Sequence, residues 1–219
     1  LMKFLDESGR MDNTMIVFTS DHGDYLGDHY LAEKDLFHEM SVRIPMIVYD
    51  PDSASDSTRG TVDERFVESI DIVPTFLDAA GGEVPDHIIE GRSLKPLLNG
   101  KDPIDWRNYV VSESNYAAKF ANWKFNIKPS DARGTMIRTN NWKYVHHEAF
   151  RPELYDLKND PDEIVDLGED PDYESIRVQM QSHMFESLRT RKTQTTYSDK
   201  QMELRARNSL CLLYTSPSP

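Results

Sequence analysis

The sequence predicts an α/β chain, with buried strands suited to a mostly parallel sheet, followed by a smaller α+β part built on an antiparallel sheet. Three observations predict this. Thr14–Ser20 and Ile44–Tyr49 are short, continuous apolar runs, the pattern of strands covered on both faces. Ser69–Gly81 has the pattern and punctuation of a helix. From Trp106 onward, short strand candidates follow one another, separated by turn residues.

Each element has a local reason. Leu1, Met2 and Leu5 fall on one face of a helix that Gly9 can terminate. The run Thr14–Ser20 ends in Asp21-His22-Gly23, and the run Ile44–Tyr49 carries Pro45 near its start, where a missing ladder donor is tolerable. Asp24 to Arg43 is an uneven polar excursion between these strands, and Asp50 to Gly60 reads as a solvated Ser/Asp loop. Its spacing lacks the regular alternation of a calcium loop. In Ser69–Gly81, Ser69 or Asp71 can cap, Pro74 fits the first turn and Gly81 ends the helix. Gly91–Leu98 is a turn and short helix. The later strands are Tyr109–Ser112, Thr135–Thr139, Lys143–His147 and Glu153–Asp156, with Asn140-Asn141 as a hairpin turn. Tyr173–Arg189 is a polar helix with Ile176, Met180 and Met184 four apart.

Composition narrows the function classes. The 219 residues hold 25 Lys+Arg against 38 Asp+Glu, a net charge of −13. That balance argues against a general binder of nucleic acid or anionic membranes, although a local basic pocket can still take an anionic substrate. No apolar run approaches the roughly 20 residues of a membrane-spanning helix. Cys211 is the single cysteine, which excludes a disulfide framework and a Cys-based zinc site and fits a reducing compartment. A cytoplasmic location is the expectation, with periplasmic or secreted destinations left open because the chain starts at Leu1, as if in mid-domain, with no signal-peptide pattern. The polar stretch after Thr190 and the Ser/Pro close read as a disordered tail or terminal scar.

The chemistry concentrates in Ser20–Lys34. Asp21 and His22 follow a buried strand at its carboxyl end, where α/β sheets gather their ligand sites. A carboxylate beside an imidazole offers an oxygen and a nitrogen to one divalent cation, and Gly23 lets the backbone turn so that both converge. The plainer alternative makes Asp21 a helix cap and His22 a polar loop residue. His146-His147 looks like a metal pair, but adjacent strand residues point to opposite faces, so both cannot serve one ion.

Taken in order, Thr19-Ser-Asp-His-Gly-Asp-Tyr-Leu-Gly-Asp-His29, Lys34, Glu39–Val48, Asp71–Gly81, Gly91–Leu98, Arg138–Tyr144 and Arg151–Glu163 resemble the second half of the sulfatase family of the alkaline-phosphatase superfamily. The pattern is most similar to its phosphonate monoester hydrolase and arylsulfatase-like branch, from Asp21-His22 and Phe150–Leu157. The resemblance implies the C-terminal part of an α/β/α sandwich over residues 1–105, a small α+β subdomain over 106–192 and a tail over 193–219. It implies that Asp21 and His22 are metal ligands and that Lys34 is a catalytic residue contacting the anionic oxygens of the ester. His29 is a weaker candidate that orients the loop. Arg43 is expected in a structural salt bridge, His38 in loop packing, and Arg151 and Tyr155 in the fold of the subdomain. The implied cofactor is one divalent metal ion (calcium, manganese or magnesium), and the imidazole ligand shifts preference from calcium towards manganese, iron or zinc. The formylglycine nucleophile is expected outside this sequence, in a missing N-terminal half, since no Cys- or Ser-x-Pro-x-Arg block occurs here. The implied reaction is hydrolysis of a sulfate ester, with a phosphonate monoester or phosphodiester as the alternative and an inactive interaction or structural module as the reading of another class. The expected partner is a small anionic ester, with no nucleic acid or membrane; homo-oligomerisation is left open.

Overall fold

The computed structural model describes residues 1–117, 124–192 and 196–209. Two compact units emerge: Leu1–Val67 with Pro96–Arg189, and Glu68–Lys95 with the chain from Thr190 onward.

The first unit opens with α1 (Met2–Glu7), where Gly9 takes φ 66° just past the helix end, as its left-handed freedom allows. Strands β1 (Ile16–Thr19) and β2 (Met46–Tyr49) form a two-stranded sheet. They pair antiparallel, Ile16 opposite Tyr49 and Phe18 opposite Ile47, which corrects the parallel pairing expected of them. The excursion between the strands explains the direction. Gly23 N–H donates to Ser41 O at 2.8 Å, so the chain returns to the end of β1 that it left and runs back alongside. A parallel neighbour needs a crossover to the opposite end. Nor are the runs covered on both faces within this chain: Phe18 and Ile47 stand exposed as a cross-strand pair.

The second sheet is an antiparallel meander of β3 (Val110–Asn115), β4 (Arg133–Arg138), β5 (Trp142–His147) and β6 (Glu153–Asp156). Thr139 closes the β4–β5 hairpin at Asn140-Asn141, its N–H donating to Trp142 O at 2.8 Å. Alternation along the strands gives the sheet two distinct faces. On one, Ile137, Tyr144 and Leu154 pack against Met180 and Met184 of α4 (Glu174–Arg189), with Ile176 alongside. On the other, Met136 and Val145 pack against Phe37, which precedes α2 (Glu39–Val42), and against Val42. The excursion from β1 therefore lies on the back of the antiparallel sheet. The Asp50–Asp56 stretch is more ordered than a solvated loop: Asp50 is buried, accepts from Ser55 Oγ at 3.2 Å and precedes the 3-10 turn Ser53–Thr58.

In the second unit, α3 (Ile72–Ala79) follows a 3-10 turn, Ser69–Asp71. Glu68 is the N-cap and Asp71 closes a capping box by accepting from Glu68 N–H at 2.8 Å, so Ser69 does not cap. Asp71 also accepts from Arg92 N–H at 2.7 Å. Within the span read as a tail, Asp199–Ser209 forms a helix, α5. Cys211 and the Ser/Pro close lie outside the described residues. No helix among the described residues is long and apolar enough to cross a membrane.

Candidate active site

Asp21 and His22 leave β1 at its carboxyl end, and Ser20 fixes their turn by donating from Oγ to His22 O at 2.7 Å. His22 Nδ1 lies 2.6 Å from Gly23 O. Only a protonated Nδ1 can donate there, which assigns the proton of a neutral ring to Nδ1 and leaves the Nε2 lone pair bare. That Nε2 sits 3.4 Å from Asp21 Oδ2. One nitrogen and one oxygen donor thus converge, with the outer imidazole N–H tied to a carbonyl as in metal-ligating histidines. The Asp21 carboxyl is held below its ordinary range, first by the backbone N–H it accepts from, then, against desolvation, by the charge that His22 carries when protonated and by Lys34. Lys34 is exposed, yet its ammonium lies close enough to be felt at Asp21.

Gly23 earns its place by close approach: a Cβ here would lie 1.9 Å from Met40 O. The sharp turn expected of its backbone is not the requirement, since Gly23 is absent from the positive-φ glycines. His29 is drawn into the loop's own packing, its ring stacked on His38 at 4.0 Å and edge-on to Tyr25 at 6.2 Å. Arg43 makes no ion pair among the described residues; its backbone N–H terminates α2 by donating to Glu39 O. His146 and His147 do face opposite ways, His146 exposed and His147 buried against Glu153 at 3.2 Å. Arg151 pairs with Asp166 at 2.7 Å, a fold contact.

The excursion is fastened to the sheet by groups that sequence reasoning missed. Lys143, 0% exposed, places Nζ 2.8 Å from Glu39 Oε1, 2.5 Å from Glu163 Oε1 and 2.8 Å from Phe37 O. The Glu163 contact is a fully buried ion pair, the shortest of the three contacts that Lys143 makes. Glu163 Oε2 accepts from Glu39 N–H at 2.6 Å, and Arg138 Nε reaches Glu39 Oε1 at 2.9 Å. Burial opposes ionisation of Glu39, but the Lys143 and Arg138 charges outweigh it and hold the carboxyl below its ordinary range. At Glu163 burial wins over Lys143, and the carboxyl is raised. The available signal was alternation, because Lys143, Val145 and His147 share the face that Phe37 covers.

Among the described residues no group of three or more His, Cys, Asp or Glu side chains is arranged around one ion, so Asp21 and His22 stand as a pair. The chain is a mixed α/β structure with a two-stranded and a four-stranded antiparallel sheet, and the pair stands at the carboxyl end of β1. Residues 27–191 match the family described as N-sulphoglucosamine sulphohydrolase, C-terminal, and the chain belongs to this sulfatase family of the alkaline-phosphatase superfamily. It is 40% identical over 176 residues to the multifunctional alkaline phosphatase superfamily protein PehA of Trinickia caryophylli, covering 79% of this chain and 34% of that one. It is 34% identical over 203 residues to the N-acetylglucosamine-6-O-sulfatase of Bacteroides thetaiotaomicron, covering 91% and 33%. The phosphonate monoester hydrolase of Agrobacterium radiobacter shares its fold with a TM-score of 0.77 at 35% identity, over 85% of this chain and 37% of that one. The chain spans about a third of the length of these curated relatives (34% and 33%).

Proposed function

We propose that this chain is the C-terminal part of a metal-dependent hydrolase of sulfate esters, with Asp21 and His22 among the ligands of a divalent cation and Lys34 as a catalytic residue. The convergence of His22 Nε2 and Asp21 Oδ2 at 3.4 Å, with Nδ1 tied to Gly23 O, carries the reading. A bound cation would supply Lewis-acid polarisation of the ester oxygens. This chain's contribution is to hold that ion in part and to offer Lys34 as a compact charge against the oxygens that become negative. A phosphonate monoester or phosphodiester is the second reading, favoured by the Agrobacterium radiobacter neighbour. The nucleophile belongs to residues beyond this sequence, so the chain alone is expected to turn over neither ester.

The test uses a complete enzyme containing this region, assayed on an aryl sulfate and an aryl phosphonate monoester side by side. Asp21→Asn is expected to lower bound metal per chain and activity together. Lys34→Ala should lower kcat roughly 10²–10³-fold with metal content unchanged, the loss typical of deleting one preorganised electrostatic donor. Full metal content and activity in Asp21→Asn would remove the basis of the reading.

A further inference from the structure

The loop that carries Lys34 has a costly backbone. Leu26, His29, Tyr30 and Glu33 all take positive φ, at 49°, 53°, 58° and 61°. Such conformations are unfavourable for L residues and persist only where the surroundings enforce them. The enforcement is visible around Lys34. Tyr25 N–H donates to Glu33 O at 3.0 Å and Gly27 N–H to Leu31 O at 3.0 Å, closing the loop one residue before Lys34. The Tyr25 side chain, 1% exposed, places its hydroxyl 2.8 Å from His38 Nδ1. Tyr25 thereby grips the chain on both sides of Lys34, at Glu33 through its backbone and at His38 through its phenol.

His38 is anchored in turn to the antiparallel sheet. Its Nε2 lies 3.4 Å from Tyr155 Oη, which donates to Glu153 Oε2 at 3.1 Å, while Glu153 Oε1 faces His147 Nε2 at 3.2 Å. The protons of this chain can be placed one by one. Desolvation, then the nearby His29, lowers His38 to about 4, so the ring is neutral at pH 7 with one donor and one acceptor. Glu153 accepts only, so Tyr155 must donate to it and accept from His38 Nε2–H. His38 Nδ1 is then the acceptor for Tyr25 O–H. An imidazole fits this position because it alone among neutral side chains offers an acceptor and a donor on opposite edges of a flat ring that His29 can stack upon.

We infer that His38 is a positioning residue for Lys34, acting through Tyr25 to lock the strained loop 25–33 against the sheet and so fix where the Lys34 ammonium stands. The inference rests on the role of Lys34 proposed above, but the lock itself can be tested without any activity. In this chain, hydrogen exchange is followed at the Tyr25 and Gly27 amides in wild type, Tyr25→Phe, His38→Phe and His38→Gln. Tyr25→Phe removes one hydroxyl only and is the variant least disturbing to the fold. Protection at the two loop amides should fall about tenfold, the scale of one lost hydrogen bond, while amides of β4 and β5 keep theirs. His38→Gln, with an acceptor and a donor, should restore part of the loss. Unchanged loop amides, or loop and sheet amides failing together, would overturn the lock.

The second arm is a kcat cycle in a complete enzyme. Tyr25→Phe should lower kcat with little change in KM, and should cost nothing further once Lys34 is alanine. Additive losses would show that Tyr25 does not act through Lys34 and would break the route assigned to His38. A complete wild-type enzyme with no ester activity would instead sink the role given to Lys34, while hydrogen exchange still decides the lock.

Discussion

Lys143→Met should destabilise the chain by about 3–5 kcal/mol at pH 7, the range for breaking one side of a buried ion pair. The structure says where that cost arises. With Nζ gone, Glu39 keeps Arg138 at 2.9 Å, but Glu163 keeps, among the described residues, only the Glu39 backbone N–H at 2.6 Å. Glu163 is buried and already raised, so it would escape by taking up a proton. Protonating a carboxyl of ordinary pKa near 4.3 at pH 7 costs about 1.4 kcal/mol per pH unit, or about 4 kcal/mol in all, which caps the penalty. Losing the hydrogen bond to Phe37 O adds about 1 kcal/mol. At roughly 2–4 °C per kcal/mol for a chain of this size, Tm should drop by roughly 6–20 °C.

The pH dependence has a definite sign. A carboxyl raised in the folded state destabilises above its unfolded pKa, and this is relieved as pH falls. The deficit of Lys143→Met should therefore shrink between pH 7 and pH 5.5 by about 2 kcal/mol, and Lys143→Met/Glu163→Gln should recover most of it at pH 7. Thermal melts of wild type, single and double variants at both pH values make the test. A single variant melting within about 2 °C of wild type at pH 7, or one with the same deficit at both pH values, would refute the reasoning.

Other outcomes follow from single residues. Gly23→Ala forces a Cβ to within 1.9 Å of Met40 O, a backbone atom that cannot swing aside, so a loss of about 3 kcal/mol is expected in urea denaturation. In a complete enzyme the same change should lower bound metal, because Gly23 O orients His22. His38 is lowered from 6.5 to about 4, so the unfolded chain binds its proton first as pH falls. Its share of stability, up to about 3 kcal/mol, is intact above pH 6.5 and drains away towards pH 4; urea curves at pH 7, 5.5 and 4.5 should show this slope in wild type and lack it in His38→Gln. In the complete enzyme His22→Asn should move ion preference towards calcium or magnesium, and reconstitution of metal-stripped protein with the same ranking of ions as wild type would contradict that.

What the sequence made legible was local. The apolar runs before Asp21 and at Met46–Tyr49, the hairpin at Asn140-Asn141 and the Met180/Met184 face all depend on neighbours a few residues away, and all stand in the structure. The Asp21-His22 pair was legible for the same reason, its geometry being set within the tetrapeptide Ser20–Gly23. The direction of β2 was not, because it depends on where a long excursion returns. Gly23 was singled out for the wrong reason, since its requirement is the backbone of Met40, which no spacing rule reveals. Lys143 meets Phe37 across 106 residues, and Glu163 meets Glu39 across 124. Pattern reading has no access to contacts of that span; it could only have noted a lysine at an inward strand position.

The two fastenings at neighbouring residues are of opposite kinds, and the difference has a physical logic. Glu39 is tied to the sheet ionically, by Lys143 and Arg138, whereas His38 is tied by neutral hydrogen bonds through Tyr155. The two are linked, because the Lys143 ammonium is one of the charges that disfavour a proton on His38, with Glu153 pulling the other way. Burial, then His29, keeps the imidazole uncharged, since Glu153 outweighs Lys143 among the sheet's charges; uncharged is the state in which it can accept from Tyr25 and donate to Tyr155. The exposed Lys34 needs no such balance, since it has water on one side and Asp21 near the other. Confining the buried charge to the sheet side leaves the loop's outer face with the Lys34 ammonium as the positive charge felt at Asp21 beyond His22 itself. The sheet's contribution to the loop is therefore mechanical above all: it holds the loop's backbone in an unfavourable shape and buries the ring that fastens it, and that burial, with His29, keeps the ring neutral.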